Sequence, residues 1–256
     1  MATTTASFYD DLADYYHLVF DDWDKSIERQ AAILGPLLEK LTGQPTPRVL
    51  DCACGIGTQA IGLSMRGHHL VASDLSRASV ARAEKEAILR GATIQFHMAD
   101  MRDLSSIRER DFDAVLSADN ALPHLLLKKD RDQALREMGA KLRPGGTWIA
   151  TIRDYDRLIQ TRPAIQPPSF FGVRGDRRIV HQVWDWDREE YDLHLYLSLE
   201  MSKQWTVKHF ISRYHALLRK DLSSSLQQAG FIAVQWLEPA ETSFYQPIII
   251  ARKRQA

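Results

Sequence analysis

Short apolar runs alternate with amphipathic stretches between residues 48 and 152 of the chain. This alternation is typical of repeated βα units, which build a parallel sheet with helices on both faces. Amphipathic helices are predicted after Gly57, over 76–90 and over 129–142, with Ser76 as an N-cap and Gly91 just beyond a helix end. The five predicted strands are RVLDCA, HLVASD, TIQFHM, FDAVLSA and GTWIATI.

Two further regions extend this core. A helical pattern from Asp24 to Leu41 ends at the linker TGQPTP, and we expect residues 1–47 to pack over the carboxyl edge of the sheet and to close over a ligand. After a predicted helix over 220–229, the runs FIAVQWL and YQPIIIARK supply two last strands. Residues 48–156 and 212–256 are therefore predicted to form a doubly wound, Rossmann-like α/β domain with a mostly parallel seven-stranded sheet.

The pattern changes to strand-like alternation between residues 157 and 211. The Pro-rich loop RPAIQPPSFFG leads to the runs RRIVHQVWDWD, YDLHLYLSLEMS and QWTVKHFISRY. Three hairpin-linked strands predict a small antiparallel β cap that is inserted into the parallel domain. The cap aromatics Trp184, Trp186, Tyr191 and Tyr196 are interpreted as core residues.

Composition narrows the class of partner. Lys plus Arg number 33 and Asp plus Glu also number 33, so no net charge steers the chain toward nucleic acid or anionic lipid. The only cysteines, Cys52 and Cys54, lack the second half of a zinc pattern, so no metal site is predicted and a reduced, cytoplasmic protein is expected. The opening segment does not resemble a secretory signal, and no apolar run is long enough to span a membrane.

The candidate site begins in VLDCACGIGTQA, residues 49–60. An apolar strand runs into a turn at Gly55 and Gly57 and a helix follows, so that backbone amides face the crevice above the strand ends. A ligand is expected there. Gly55, Gly57 and Ala60 also satisfy the GxGxxA dinucleotide fingerprint, and Asp74 lies near the distance expected for a ribose-binding carboxylate.

Three features favour methyl transfer over dinucleotide binding. Asp51 precedes the glycine turn, where a buried carboxylate suits the loop amides or a cationic ligand and would repel a pyrophosphate. Asp100 ends the third predicted strand, in position to accept an adenine amino group. The glycine unit also follows a long helical segment instead of opening the chain.

Taken together, the DxxCGxG turn and the SD and AD/M strand ends resemble class I S-adenosylmethionine methyltransferases, and the chain is similar over nearly its whole length to glycine and sarcosine N-methyltransferases. The resemblance implies S-adenosylmethionine as cofactor, with Asp74 on the ribose hydroxyls, Asp100 and Met101 around adenine, and Ala53 and Gly55 on the methionine side. The predicted cofactor-binding residues are Tyr16, Trp23, Lys25, Asp51, Ala53, Gly55, Gly57, Asp74, Leu75, Asp100, Met101 and Ala118.

The N-terminal members of that set come from the resemblance alone. The family closes a Tyr, a Trp and an Arg over the cofactor; Tyr16 and Trp23 match the aromatic pair, and Lys25 stands at the Arg position. Lysine keeps a charge for the methionine carboxylate but lacks the planar bidentate fork of arginine.

Three further segments carry the resemblance on the substrate side. ADNALPHL resembles the family's fourth-strand motif, whose Asn and His correspond to Asn120 and His124. TIRDYD matches an Arg-x-Tyr-Asp element in which Arg153 would receive the substrate carboxylate. SRYHALLRKDL supplies Tyr214 as an aromatic that encloses the methyl end. His124 is a candidate base for the ammonium proton.

The sequence therefore predicts methyl transfer to the nitrogen of a small amine or amino acid, with His124, Asn120, Arg153 and Tyr214 as the predicted catalytic residues. Alignment of the reacting groups is the expected main source of catalysis. The alternatives are a small-molecule O-methyltransferase on the same fold, a nicotinamide-dependent oxidoreductase, and a non-catalytic binding module, against which Arg153 and His124 argue. No NPPY or DPPY element follows the fourth strand, so a nucleic-acid substrate is not expected, while homo-oligomer formation is left open.

Overall fold

The computed structural model describes residues 4–202 and 204–255. Its helices are α1 (Thr5–Leu12), α2 (Trp23–Thr42), α3 (Thr58–Met65), α4 (Arg77–Leu89), α5 (Lys128–Lys141), α6 (Tyr155–Thr161), α7 (Arg219–Gln228) and α8 (Pro239–Thr242). Its strands are β1 (Arg48–Asp51), β2 (His69–Asp74), β3 (Ile94–Met98), β4 (Phe112–Ser117), β5 (Leu142–Thr151), β6 (Ile165–Phe171), β7 (Arg178–Asp187), β8 (Glu190–Met201), β9 (Gln204–His215), β10 (Phe231–Leu237) and β11 (Ile248–Lys253). Short 3-10 helices cover Tyr16–Val19 and Leu122–His124.

The larger sheet has seven strands in the order β10-β11-β5-β4-β1-β2-β3. Strands β1 to β5 are mutually parallel, and β11 is antiparallel to both of its neighbours, β5 and β10. The predicted fold class is confirmed. Because β1 lies between β2 and β4, the strand order reverses there, and a crevice is expected above the carboxyl ends of these strands.

Helices cover both faces of this sheet. Leu34 and Leu38 of α2 are buried with Ile149 and other strand residues on one face. Met138 of α5 and Leu226 of α7 are buried in the cluster on the other face. The predicted position of the long N-terminal helix is wrong, because the apolar stripe of α2 is buried against a face of the sheet and not over its carboxyl edge.

The segment that does lie over the carboxyl edge is α1, which contacts both α4 and β9. The Asp10 carboxylate of α1 accepts hydrogen bonds from the Ser76 hydroxyl at 2.6 Å and from the Ala78 backbone N–H at 3.0 Å. Ser76 is the N-cap of α4, as predicted, and accepts from the Ser79 backbone N–H at 3.0 Å. Gly91 follows the end of α4 with a φ of 68°, a conformation that favours glycine.

The cap is a four-stranded antiparallel sheet in the order β6-β7-β8-β9. Two predictions about it are wrong. The Pro-rich segment forms the edge strand β6, and its pairing with β7 shifts between Gln166 and Ser169, where two prolines have no N–H to donate. Strand β9 also continues to His215, so the cap ends there and not at residue 211, and Tyr214 belongs to the cap.

Within the described ranges, the structure contains no helix of the length and apolar character needed to cross a lipid bilayer.

Candidate active site

A cavity of about 600 Å³ lies between the carboxyl ends of β1, β2 and β3 and the helix α1. This volume is within the range of small-molecule sites. The structure brings eight of the predicted cofactor-binding residues together on its wall, namely Tyr16, Ala53, Gly55, Asp74, Leu75, Asp100, Met101 and Ala118. We call this space the cofactor cavity.

The turn between β1 and α3 depends on its two glycines. Gly55 and Gly57 have φ angles of 53° and 92°, which residues with a side chain rarely adopt. A Cβ atom on Gly57 would lie 2.9 Å from the Ile61 side chain, and one on Gly55 would lie 3.7 Å from the Tyr16 ring. Gly55 therefore leaves the cavity open beside Tyr16, whereas Gly57 shapes the turn without lining the cavity.

Two carboxylates face the cofactor cavity from neighbouring strand ends. Asp74 accepts hydrogen bonds from the backbone N–H groups of Gly55 at 2.8 Å and Ser76 at 2.9 Å. Burial raises the pKa of Asp74 despite these hydrogen bonds. Burial also acts to raise the pKa of Asp100, but hydrogen bonds from the Arg102 side chain and backbone outweigh it and lower that pKa. Each carboxylate retains lone pairs for a ligand.

Asp51 is fully buried at the end of β1 and lies outside the cavity wall. Its Oδ1 accepts a hydrogen bond from the Ala53 backbone N–H at 3.2 Å, while Oδ2 has no hydrogen-bond partner among the described residues. Burial raises the pKa of Asp51 to about 7, and the nearby charge of Asp74 contributes. The geometry gives Asp51 a role in holding the glycine turn, without direct contact with the cavity.

The structure separates the predicted Trp23 and Lys25 from the cavity. Trp23 is buried, and its indole N–H donates to the Thr58 hydroxyl, which does line the cavity, at 2.9 Å. The Lys25 side chain is 80% exposed and lies 3.0 Å from the carboxylate of Asp22, the N-cap of α2, so the structure does not place it on the cavity wall. Arg29 lies one turn after Lys25 on α2 and near Tyr245. Burial raises the pKa of the Tyr245 phenol, and the positive charge of Arg29 acts in the opposite direction.

A second cavity of about 360 Å³ lies between α1 and the cap. Its wall includes the cap residues Gln182, Leu193 and Tyr214, together with Arg153 and Tyr245 from the larger domain. We call it the substrate cavity. The two cavities share three wall residues, which are Tyr9, Tyr16 and Asp119.

Arg153 provides the positive charge of the substrate cavity. It donates to the Tyr191 hydroxyl at 2.9 Å, and its guanidinium carbon lies 4.9 Å from the Trp184 ring centre and 5.6 Å from that of Tyr214. No Asp or Glu in the described part of the chain lies within 4.0 Å of it, because the neighbouring Asp154 and Asp156 approach Arg219 instead. A partly buried cation without a carboxylate partner suits an anionic ligand.

Asn120 lies behind the wall and lines neither cavity. It is only 3% exposed, its Oδ1 accepts from the Arg153 backbone N–H at 3.2 Å, and its Nδ2 donates to the Tyr155 hydroxyl at 2.9 Å. The structure therefore does not place Asn120 in the predicted contact with a substrate. Its hydrogen bond instead positions the Arg153 backbone.

His124 lines the cofactor cavity and stacks on Tyr214, with 4.0 Å between ring centres. Its Nε2 lies 2.9 Å from the Tyr9 hydroxyl, and its Nδ1 lies 3.3 Å from the Ser212 hydroxyl. Burial, reinforced by the charge of Arg153, lowers the pKa of His124 to about 3. The ring is therefore neutral near pH 7 and has little affinity for a substrate proton, so the geometry favours a role in orienting Tyr9.

Sequence reasoning missed three residues at the junction of the cavities: Tyr9, Asp119 and Tyr245. The Asp119 carboxylate accepts hydrogen bonds from the hydroxyls of Tyr16 at 3.2 Å and Tyr245 at 2.7 Å. Burial raises the pKa values of Tyr9, Tyr16 and Tyr245, so these phenols stay protonated. A carboxylate just after the fourth strand was a usable signal for Asp119, whereas the two missed tyrosines lie in segments without a motif.

Comparison with known proteins shows which domain the chain contains and which fold it shares. Residues 49–146 match the model of a methyltransferase domain. DesVI from Streptomyces venezuelae has a similar fold, with a TM-score of 0.79 and 18% identity over 95% of this chain and 98% of that one. The S-adenosylmethionine-bound amino pentose methyltransferase CalS10 from Micromonospora echinaspora gives a TM-score of 0.74 at 17% identity over 94% and 95% of the two chains. The chain therefore carries a methyltransferase domain and has the fold of S-adenosylmethionine-dependent methyltransferases, so the predicted resemblance to that class is confirmed, whereas the similarity to glycine and sarcosine N-methyltransferases covers 60% of the chain and not nearly its whole length.

The relatives found by sequence similarity include N-methyltransferases. A glycine/sarcosine N-methyltransferase from Parasynechococcus marenigrum is 33% identical over 156 residues, which make up 60% of this chain and 55% of that protein. The chain spans about half the length of this relative and a quarter of a second N-methyltransferase that it matches. The domain match favours methyl transfer over the dinucleotide alternative.

Proposed function

We propose that this protein is an S-adenosylmethionine-dependent N-methyltransferase that acts on an amino acid or a similar small amine. The observation that carries the proposal is the pair of cavities that meet at Tyr9, Tyr16 and Asp119. One cavity presents carboxylates at two strand ends, and the other presents the cation of Arg153. A methyl donor and a carboxylate-bearing acceptor would thus approach each other at the shared wall.

The residues of the cofactor cavity fit an adenosyl group. Asp74 has free lone pairs for vicinal ribose hydroxyls, Asp100 can accept from an exocyclic amine, and Met101 offers an apolar surface beside it. The absence of a side chain on Gly55 keeps the space opposite Tyr16 open. When bound, S-adenosylmethionine would supply a methyl group on a sulfonium for in-line displacement by an amine nitrogen, after the substrate ammonium has lost one proton to bulk water.

The protein's own contribution to this chemistry is alignment and exclusion of water. Helix α1 covers the junction and is fastened to α4 by Asp10. Tyr9, oriented by the neutral His124, contributes a phenol to the shared wall. The Tyr214 ring lines the substrate cavity and offers cation–π attraction to an ammonium or sulfonium near the junction of the two cavities.

Binding and turnover test the proposal in two stages. Isothermal titration with S-adenosylhomocysteine and with NAD should give micromolar binding of the former and none of the latter. Release of S-adenosylhomocysteine should then depend on small amines such as glycine or sarcosine, and not on their hydroxylated analogues. Turnover with hydroxyl acceptors alone would favour the O-methyltransferase alternative, and failure to bind S-adenosylhomocysteine would reject both.

The Arg153→Gln variant tests the carboxylate-binding role. Loss of a charge-assisted hydrogen bond costs about 1.5–3 kcal/mol, so the KM for a carboxylate substrate should rise roughly 10- to 150-fold. Affinity for S-adenosylhomocysteine should stay within about twofold, because Arg153 does not line the cofactor cavity. Arg157→Gln is a matched control, since Arg157 is exposed on α6. An unchanged KM in Arg153→Gln would remove this role.

A further inference from the structure

Asp119 is an acidic side chain without a cationic partner at the junction of the two cavities. Both of its oxygens face hydroxyl donors, those of Tyr16 at 3.2 Å and Tyr245 at 2.7 Å. Within residues 4–202 and 204–255, no Lys, Arg or His nitrogen lies within 4.0 Å of it. A carboxylate has about four lone-pair sites, so two sites remain for a ligand.

The backbone holds this carboxylate in place at a cost in strain. Asp119 and Asn120 have consecutive positive φ angles of 56° and 65°, and such non-glycine conformations persist where the surrounding structure imposes them. The Asp119 backbone N–H donates to the Thr151 hydroxyl at 2.7 Å, and that hydroxyl donates to Gln246 at 2.9 Å. Strained backbone that aims a charged side chain at a cavity is typical of ligand-binding positions.

The charges of the substrate cavity are separated. Asp119 and Arg153 both line it, but they do not form an ion pair with each other in the structure. Each lacks the opposite charge that would compensate its partial burial, and a ligand with one positive and one negative group would supply both.

We propose that Asp119 binds the ammonium group of the substrate while Arg153 binds its carboxylate, so that the acceptors are zwitterionic amino acids. This inference rests on the proposed function and deepens it by assigning the amine-recognition residue. It places the substrate nitrogen at the wall shared with the cofactor cavity, and it gives a reason for preference of amines over hydroxylated acceptors of the same shape.

A pair of isosteric probes separates charge recognition from shape. Glycine betaine and 3,3-dimethylbutanoate share a carboxylate and a branched head, but only betaine carries a positive charge, and this charge does not depend on pH. Isothermal titration of the full chain loaded with S-adenosylhomocysteine should show betaine binding at least about tenfold more tightly. In Asp119→Asn this preference should disappear, because the neutral amide retains the shape but not the charge.

Two further variants distinguish this role from a structural one. Tyr245→Phe removes a hydrogen bond to Asp119 but leaves its charge, so the preference for betaine should persist. Arg153→Gln should weaken both probes by a similar factor. Equal binding of the probes to the unmodified protein, or a preference that survives in Asp119→Asn, would overturn the assignment while leaving amine-dependent turnover intact. If neither probe bound the loaded protein, the zwitterionic substrate class itself would be wrong, whereas failure to bind S-adenosylhomocysteine would reject the proposed function instead.

Discussion

Replacement of Asp51 by Asn tests whether a buried carboxyl group under the glycine turn makes stability depend on pH. The folded protein raises the pKa of Asp51 from 3.8 to about 7, chiefly by burial. Because the folded chain binds this proton more tightly than the unfolded chain, the Asp51 contribution to stability falls as pH rises from about 4 to 7. Above pH 7 the group is ionised in both states, and this contribution becomes constant.

The size of the effect follows from the two pKa values. Their difference corresponds to about 4 kcal/mol over the whole titration. Roughly a third of this is already lost at pH 5, so the Asp51→Asn variant should gain about 2–3 kcal/mol relative to the wild type between pH 5 and pH 8. The hydrogen bond from the Ala53 backbone N–H is preserved, because an amide oxygen accepts it as well.

Urea denaturation at pH 5, 6, 7 and 8 measures this gain as the difference in unfolding free energy between variant and wild type. In a chain of this length, 1 kcal/mol corresponds to a Tm change of roughly 2–4 °C, so calorimetry should show the same trend. Asp176→Asn is a matched control, since it makes the same replacement at an exposed carboxylate far from the glycine turn in sequence. Parallel stability profiles for Asp51→Asn and the wild type would refute the reasoning.

Two predictions concern groups whose roles differ from those expected from sequence. Lys25→Ala should leave the Kd for S-adenosylhomocysteine within about twofold, because Lys25 is exposed, is paired with Asp22 and does not line the cofactor cavity. Calorimetric Kd values compare this variant with the wild type, and a tenfold loss would restore Lys25 as a cofactor ligand. His124→Gln should lower kcat without removing a limb near pH 6.5 from the pH profile of kcat/KM, because the pKa of His124 is about 3. A limb that is present in the wild type and absent from the variant would restore His124 as the base.

The parallel core could be predicted because its signals are local. Each of β1, β2 and β4 is a short apolar run that ends in a polar turn, and Ser76 and Gly91 mark the limits of α4. The glycine turn and the acids at the ends of β2 and β3 line the same cavity, because parallel strands end at one edge of a sheet. Their meeting could therefore also be predicted.

Predictions failed where tertiary contacts decide the outcome. Pro167 and Pro168 indicate a loop, yet they are tolerated because β6 is an edge strand. Lys25 has the charge expected of a cofactor ligand, but the N-cap Asp22 lies on the same turn and draws its side chain away. The distinction between Asn120 behind the wall and Asp119 on it depends on two positive φ angles, which one-letter patterns do not reveal.

The division between predictable and unpredictable residues follows the division between the two cavities. The cofactor cavity is built largely from consecutive strand ends of one sheet, so its residues are fixed by a single repeated motif. The substrate cavity joins α1 and the 3-10 helix after it, the turns after β4 and β5, all four cap strands and the segment before β11. These segments are distant in sequence and meet only in the fold. Substrate choice on this scaffold can therefore change through residues such as Asp119 while the cofactor motif stays constant. For that reason, a search for the methyl acceptor should start from the separate opposite charges of Asp119 and Arg153, and not from the glycine turn.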